Sequence, residues 1–256
     1  MSRLSSRSSN STFSQKPLMP VTTLAVDIGG TGIKAILLDA EGNPLTERSR
    51  VRTPRPATPQ AVVAAVVKLA GEQGMFDRVS VGFPGVVRQG VVHTAPNLDG
   101  SWQGMELAQV LEKLLHKPVR VANDADVQGL GVIQGRGVEL VITLGTGVGS
   151  ALFVDGRLVP NLELAHHPFH GDKTYEEELG AAALHKVGKK KWNHRLSRAV
   201  AVLSRVFNYD VLYIGGGNAK KVALDLGPNV KLVSNMAGLL GGIACWQSPD
   251  EQGRPD

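Results

Sequence analysis

The chain has 256 residues, of which 42% are hydrophobic, 20% charged and 5% aromatic, and its formal net charge is +5. This composition supports a sizeable core and excludes a chain that is disordered throughout, and the low aromatic content argues against a nucleic-acid binder that stacks bases. The single cysteine excludes an internal disulfide framework and fits a reducing cytoplasm. No uninterrupted apolar run reaches the roughly 18–20 residues of a membrane span.

The first twenty residues are predicted to form a disordered tail. They include Arg3, Arg7, Lys16 and seven serines, and no acidic residue precedes Asp27. The segment lacks the apolar stretch of a secretory signal, and a targeting peptide for an organelle is the alternative interpretation of its Arg- and Ser-rich composition.

From residue 22 onward, apolar and β-branched runs alternate with amphipathic stretches, which predicts an α/β fold. Strands are predicted at residues 22–28, 33–38, 45–52, 79–82, 90–94, 118–122, 140–144, 150–154 and 211–214. Helices are predicted at residues 61–73, 105–116, 174–187, 193–207 and 235–246, with a further one that begins near Asn123.

Two segments more than a hundred residues apart share one pattern. Residues 26–31 and residues 142–147 each contain the end of a strand and a Gly-Thr turn, and a second strand with an Asp-containing turn follows in both. The similarity predicts a duplicated fold with two facing halves, and the cleft between such halves is the expected ligand site.

The two Gly-Thr turns are candidate phosphate-binding loops. Glycine permits a close approach of phosphate, and successive backbone N–H groups attract anions. Asp27, at the end of a buried strand, is then placed to hold a hydrated magnesium ion. A third glycine run spans residues 215–217. The alternative is that these glycines only form hairpin turns; no Walker or Rossmann pattern is present.

Asn123 and Asp124 open a helix directly after a buried strand. A carboxylate there can accept the proton of a substrate hydroxyl during phosphoryl transfer. Plain N-terminal capping of the helix is the alternative.

Two further groups of polar residues each allow more than one interpretation. Glu163, His166, His167, His170 and Glu176 form a metal site, a sugar-binding wall or a solvated loop. A second group is basic and forms either a track for a polyanion or a solvated helix face. It consists of Lys186, Lys189, Lys190, Lys191, Arg195, Arg198, Lys220 and Lys221.

The motifs together resemble the ROK sugar kinases and, within them, the bacterial polyphosphate glucokinases that include users of ATP and mannose. They are Asp27-Ile28-Gly29-Gly30-Thr31, Pro96-Asn97-Leu98, Asn123-Asp124-Ala125, Gly145-Thr146-Gly147, Glu163-Leu164-Ala165-His166 and Gly215-Gly216-Gly217. The resemblance covers residues 22–246. It implies an actin-like, hexokinase-like ATPase fold with two ribonuclease-H-like α/β domains around a cleft. The expected domains are residues 21–122, joined by the C-terminal helix at 235–256, and residues 123–234.

The resemblance also implies a role for each matching residue. Phosphate or nucleotide binding is implied for Asp27, Gly29, Gly30, Thr31, Lys34, Thr146, Gly147, Gly216 and Gly217. Sugar binding is implied for Asn97, Asn123, Asp124, Glu163, His166 and Glu176. Asp124 matches the general base, and Asp27 is expected to hold Mg²⁺ through water.

The implied activity is phosphorylation of glucose, and also of mannose, at the 6-hydroxyl with polyphosphate or ATP as donor. The alternatives are an ATP-only kinase for a hexose or an N-acetylhexosamine, and a sugar sensor without catalysis. No zinc is expected, because residues 167–178 lack the cysteines of the usual ROK zinc motif. We further expect a cytoplasmic monomer or homodimer that binds neither nucleic acid nor a membrane; the twenty residues before Val21 are too few for a DNA-binding helix-turn-helix.

Overall fold

The computed structural model describes residues 21–246, without the side chains of residues 235–239. The predicted tail at residues 1–20 and the end of the predicted C-terminal helix lie outside the described residues. The strands of the described part are β1 (Thr23–Ile28), β2 (Gly32–Leu38), β3 (Ser49–Arg52), β4 (Arg78–Phe83), β5 (Val87–Arg88), β6 (Val91–Val92), β7 (Val119–Asn123), β8 (Val138–Leu144), β9 (Val148–Val154), β10 (Arg157–Val159), β11 (Pro168–His170), β12 (Lys173–Thr174), β13 (Val211–Gly215) and β14 (Val230–Leu232). The helices are α1 (Pro59–Glu72), α2 (Leu107–Leu115), α3 (Asp124–Leu130), α4 (Tyr175–Leu179), α5 (Ala181–Phe207) and α6 (Asn235–Ala244).

Two five-stranded sheets with the same topology form the framework. The first has the order β3-β2-β1-β4-β7, and the second has the order β10-β9-β8-β13-β14. In each, the first three strands pair antiparallel, and the remaining two pair parallel. The duplication predicted from the two Gly-Thr segments is therefore confirmed, and each segment joins the two central antiparallel strands of its sheet.

Each sheet has its own hydrophobic core. In the first half, α1 and α2 cover strands that contribute Leu24, Val81 and Phe83. In the second half, α5 covers β8 and β13, and the fully buried Trp192 donates its indole N–H to the carbonyl oxygen of Leu179 at 2.8 Å. Within residues 21–246, no helix combines the length and apolar character that a membrane span requires.

The C-terminal helix α6 lies against the first sheet. The hydroxyl group of Ser80 on β4 donates to the carbonyl oxygen of Gly242 at 2.5 Å, and the indole N–H of Trp246 donates to the Ser80 hydroxyl at 2.8 Å. The guanidinium of Arg120 stacks over the Trp246 ring, 4.6 Å from its centroid. Helix α6 packs equally closely against α3, which begins the second predicted domain. These contacts therefore do not decide between the two halves, and the domain limits stay a prediction.

Three element predictions are wrong in extent, and one of them is the strand predicted at residues 90–94, of which only Val91–Val92 is a strand. The strand predicted at residues 45–52 is reduced to Ser49–Arg52, because the Thr46 hydroxyl accepts the N–H of Leu37 at 3.1 Å and replaces strand pairing there. The helix predicted at residues 174–187 is broken at Gly180, which has an extended backbone. The next N–H, that of Ala181, donates to the carbonyl oxygens of Gly145 and Thr146, so the second Gly-Thr turn fixes the start of α5.

The first turn of α3 buries a carboxyl group behind the cleft. Asp126 is only 2% exposed, and its Oδ2 accepts the N–H of Asn161 at 3.3 Å. Its Oδ1 is buried and has no partner in the described part of the chain. Burial is the main cause that raises the pKa of Asp126 from 3.8 to about 7, and the Asn161 N–H opposes it.

Replacing Asp126 with asparagine should therefore stabilise the fold in a pH-dependent way. The folded chain keeps this proton up to about pH 7, whereas the unfolded chain loses it near 3.8, so the wild type loses stability as the pH rises between these values. The amide cannot ionise and still accepts the Asn161 N–H. In urea titrations, the advantage of Asp126→Asn should grow by up to about 4 kcal/mol between pH 4 and pH 8.

The same substitution at the exposed Asp225 is the control. An advantage of Asp126→Asn that is equal at both pH values would contradict the buried titration.

Candidate active site

One cavity of about 630 Å³ lies between the two halves and collects all the site residues predicted from the sequence. Its lining includes residues from both Gly-Thr turns, from the start of α3, and from the segments around Asn97 and Glu163. The predicted residues that line it are Asp27, Gly29, Gly30, Thr31, Lys34, Asn97, Asn123, Asp124, Thr146, Gly147, Glu163, His166, Glu176, Gly216 and Gly217. Their roles stay predictions, but the structure brings all of them together.

The first Gly-Thr turn presents backbone N–H groups because its carbonyl groups are held from behind. The Thr53 hydroxyl donates to the carbonyl oxygen of Gly29 at 2.5 Å, and the Arg55 guanidinium donates to that of Gly30 at 2.9 Å. The N–H groups of Gly30 and Thr31 donate to no acceptor among residues 21–246. Successive free N–H groups of this kind suit an anion.

The second turn is built in the same way. The carbonyl oxygen of Gly145 accepts from the side-chain amide of Asn218 at 3.0 Å and from the N–H of Ala181 at 3.1 Å. In the described residues, no acceptor takes the N–H groups of Thr146 and Gly147. The second turn thus repeats the unpaired N–H groups of the first.

The two turns approach each other across the cleft. A Cβ built on Gly30 would lie 4.0 Å from Cγ2 of Thr146 and 3.5 Å from Cβ of Asn97. A Cβ built on Gly147 would lie 3.6 Å from Nδ2 of Asn97. Asn97 therefore stands between the two turns, where one phosphoryl group can reach both.

Asn123 caps helix α3, whereas the neighbouring Asp124 faces the cavity. The Asn123 side chain caps α3 by accepting the N–H of Ala125 at 2.8 Å, and it donates to the carbonyl oxygen of Gly85 at 3.1 Å. The capping alternative thus holds for Asn123, and its amide is largely committed to the fold. Because Asn123 is the cap, the carboxylate of Asp124 is left to face the cavity.

Burial, and after it the negative charge of Asp27, raises the pKa of Asp124 from 3.8 to about 8. The carboxylate of Asp27 itself is paired with the ammonium of Lys34 on the neighbouring strand at 2.6 Å. A carboxylate whose pKa lies near neutral pH is the kind of group that accepts a proton from a hydroxyl.

The polar segment after β10 contributes one wall. Ser150 anchors it by donating its hydroxyl to the carbonyl oxygen of Leu162 at 2.5 Å. The imidazole of His166 lies 3.5 Å from the Glu163 carboxylate, whose pKa is raised mainly by burial. The Glu176 carboxylate accepts the N–H of Val148 at 3.3 Å and contacts Gly147 so closely that a side chain there would displace it.

Not every residue singled out in the sequence reaches the cavity. His167 and His170 do not line it, and of the basic group only Lys220 does. The Arg195 guanidinium is bound to the buried carboxylate of Glu178 at 3.0 Å, so it is a structural ion pair rather than part of an anion track.

Other lining residues were missed. Arg48 and Arg50 both line the cavity. They stand on either side of Ser49, and this spacing of two in a predicted strand indicates that their side chains lie on the same face. Gln128, Ser150 and Asn218 carried no sequence signal that distinguishes them from surface polar residues.

The donor set fits a hydrated magnesium ion. Within residues 21–246, no group of three or more His, Cys, Asp or Glu side chains is arranged to hold a metal. Asp27 and Asp124 nevertheless face the same cavity. Mg²⁺ usually takes one or two carboxylates and completes its shell with water and phosphate oxygens, so the Asp27 carboxylate suits it when phosphate is present. The absence of zinc stays a prediction.

Comparison with known proteins agrees with this geometry. The ROK family model matches residues 23–166. The polyphosphate glucokinase of Mycobacterium leprae (strain TN) is 35% identical over 211 residues, which are 77% of this chain and 63% of that protein. The polyphosphate glucokinase of Mycobacterium tuberculosis (strain CDC 1551 / Oshkosh) is 33% identical over 206 residues, which are 77% of each protein. This chain thus spans just under two thirds of the first relative.

Solved structures share the fold. The inorganic polyphosphate/ATP-glucomannokinase from Arthrobacter sp. strain KM has a TM-score of 0.81 and 35% identity over 89% of this chain and 100% of that chain. A ROK family glucokinase from Streptomyces griseus, solved with glucose and AMPPNP, has a TM-score of 0.72 at 22% identity over 89% of this chain and 100% of that chain, which shows similarity of fold alone. The expected actin-like fold is confirmed.

The family model covers more than half of the chain, and relatives above 30% identity align along about three quarters of it, so this chain belongs to the ROK family.

Proposed function

We propose that this chain is a sugar kinase that transfers a phosphoryl group from inorganic polyphosphate or ATP to the 6-hydroxyl of glucose, with mannose as a further acceptor. The observation that carries the proposal is that one cavity brings together two turns with unpaired N–H groups and a carboxyl group of raised pKa, Asp124. The relatives that support it are named as polyphosphate glucokinases and as a polyphosphate/ATP-glucomannokinase.

Asp124 accepts the proton of the sugar 6-hydroxyl as the hydroxyl oxygen attacks the terminal phosphorus of the donor. The bond from that phosphorus to the bridging oxygen breaks, and ADP or a polyphosphate shorter by one unit leaves. Asn123 serves this step through its cap, which fixes the first turn of α3 and so the position of the carboxylate.

The N–H groups of Gly30, Thr31, Thr146 and Gly147 hold the phosphoryl oxygens from two sides. Asp27 holds a hydrated Mg²⁺, which when bound offsets phosphate charge. Gly216 lies against the backbone of Leu144, beside the second turn, and a nucleoside of ATP fits next to it.

Asn97, Glu163, His166 and Glu176 bind the hydroxyl groups of the hexose. Carboxylate, amide and imidazole groups supply acceptors and donors in the mix that a sugar needs. We also expect the protein in the cytoplasm as a monomer or homodimer, in keeping with its single cysteine.

The alternatives are less well supported. A sugar sensor gains nothing from a raised pKa at Asp124, whereas a kinase uses it. An ATP-only kinase for a hexose or N-acetylhexosamine differs from the proposal in donor and acceptor. A coupled assay that measures glucose 6-phosphate with polyphosphate and with ATP separates these cases.

Asp124→Asn should lower kcat by ~10²–10⁴-fold while glucose affinity changes little, because the amide keeps the shape and loses the basic group. The matched control is Asp126→Asn, the same change two residues later but outside the cavity lining. Turnover of Asp124→Asn close to that of the control would remove the general-base role.

The raised pKa values can be read directly in the ligand-free protein. With ¹³C-labelled aspartate, two carboxyl carbons should titrate late, near pH 8 for Asp124 and near pH 7 for Asp126. The first should vanish in Asp124→Asn and move to lower pH in Asp27→Asn, because a neighbouring negative charge is then removed. Titration of every aspartate below pH 5 would contradict the burial of these groups.

His166→Ala should weaken glucose binding ~5- to 150-fold, since an unpaired sugar hydroxyl costs about 1–3 kcal/mol. Calorimetry with glucose measures it. His167→Ala is the control, because the neighbouring imidazole bonds to the carbonyl oxygen of Pro168 and lies outside the cavity lining. Equal glucose affinity in both variants would show that His166 does not contact the sugar.

A further inference from the structure

Two arginines of the first sheet line the cavity beside its first phosphate-binding turn. Arg50 lies on the edge strand β3, and Arg48 immediately precedes that strand. They stand two positions apart in the chain, and both line the same wall of the cavity. Arg50 pairs in register with Lys34, and Lys34 pairs with Asp27, which places a row of charges across three strands.

Because Gly32 has no side chain, the guanidinium of Arg50 can lie against the first Gly-Thr turn. A Cβ built on Gly32 would lie 2.8 Å from Nε of Arg50 and 3.0 Å from one of its terminal nitrogens. Gly32 closes the turn, because its carbonyl oxygen accepts the N–H of Gly29 at 3.0 Å. The guanidinium therefore lies against the same turn that presents N–H groups to phosphate.

These two arginines carry uncompensated charge. Lys34 is neutralised by Asp27 at 2.6 Å. No Asp or Glu is within ion-pair distance of Arg48 or Arg50 in the part of the chain that the structure describes. Both residues are exposed. Exposed, unneutralised cations on one wall of a cavity attract an anion that has several charges.

The other candidate track fits less well. Lys189, Lys190 and Lys191 do not line the cavity, and Arg195 is bound to Glu178. The glycines assigned to a nucleoside, Gly216 and Gly217, follow β13 of the second sheet, whereas Arg50 lies on β3 of the first. We therefore expect a nucleotide and a longer phosphate chain to contact different walls of the cavity.

We propose that Arg48 and Arg50 form a subsite for the part of inorganic polyphosphate that extends beyond the transferred phosphoryl group. Residues two apart on a strand are spaced by about 6–7 Å, and each guanidinium presents a fixed fork of donors to phosphoryl oxygens. The chain runs from the first turn along β3, whereas ATP runs toward Gly216. The kinetic readout of this inference rests on the proposed function, whereas the binding test does not depend on it.

The binding test is a titration with long-chain inorganic polyphosphate, without sugar or Mg²⁺, at several salt concentrations. The variant is Arg48→Gln/Arg50→Gln. Its affinity for polyphosphate should fall ~10-fold or more at low salt. The slope of log K against log salt should become shallower by about 1.4, because each phosphate group that the variant no longer neutralises accounts for about 0.7.

Arg157→Gln is the matched control. Arg157 is also an exposed arginine at the edge of a five-stranded sheet, on β10 of the second half, and it does not line the cavity. It should bind polyphosphate with the affinity and salt slope of the wild type. An unchanged affinity and slope in the double variant would overturn the subsite.

Glucose phosphorylation by the same proteins gives the second readout. The double variant should have a raised KM for long polyphosphate, a nearly unchanged kcat at saturating polyphosphate and nearly unchanged kinetics with ATP. An equal loss of kcat with both donors would overturn the subsite, since the arginines would then act on the transferred phosphoryl group.

Two results separate the subsite from the proposed function. Should neutralising Lys189, Lys190 and Lys191 remove the salt slope while the double variant keeps it, the polyphosphate track lies on α5 and the inference is wrong. Should the wild type phosphorylate glucose with neither donor, the proposed function fails, and the titration still decides whether Arg48 and Arg50 bind polyphosphate.

Discussion

The cavity depends on how the carbonyl groups of the two Gly-Thr turns are satisfied. In the first turn, Thr53 and Arg55 take the carbonyl oxygens from behind, and in the second turn Asn218 and the N–H of Ala181 do so. These hydrogen bonds orient the peptide planes of the two turns so that their N–H groups face the cleft, where they have no partner in the described part of the chain. The contact at Ala181 also sets the break between α4 and α5, so the geometry of the second turn shapes the helical layer around it.

A second constraint is the crowding of carboxyl groups around the start of α3. Burial raises the pKa values of both Asp124 and Asp126, and the nearby charge of Asp27 adds to the effect at Asp124. Leaving such groups uncharged near neutral pH costs stability, as linkage requires. At Asp124, the cost in stability comes with a basic group in the cleft. At Asp126, the same kind of cost comes with a hydrogen bond that holds Asn161, two residues before Glu163.

The sequence predicted the parts of the site that repeat or follow a motif. The Gly-Thr turns were recognisable because one pattern occurs twice, and Asp124 because it follows a buried strand at the start of a helix. The arginines of β3 were not recognised, since only strand register places Arg50 beside Lys34 and Gly32. The break at Gly180 was missed for a similar reason: a contact with the distant second turn fixes it, and local helix propensity cannot show that.

The duplicated halves differ where the chemistry requires it. The first half places Asp27 opposite Lys34, whereas at the matching point of the second half the Thr143 hydroxyl accepts the N–H of Gly149 at 3.1 Å. An aspartate at position 143 would add another carboxylate to the cavity that Asp124 lines, and like charges disfavour ionisation. With a hydroxyl there, Asp124 has one carboxylate fewer to oppose its ionisation. The two matching turns therefore differ at this point: the first carries a carboxylate, Asp27, and the second carries a hydroxyl, Thr143. In the proposed reaction, this difference leaves room for a cation beside the first turn and keeps a further negative charge away from Asp124.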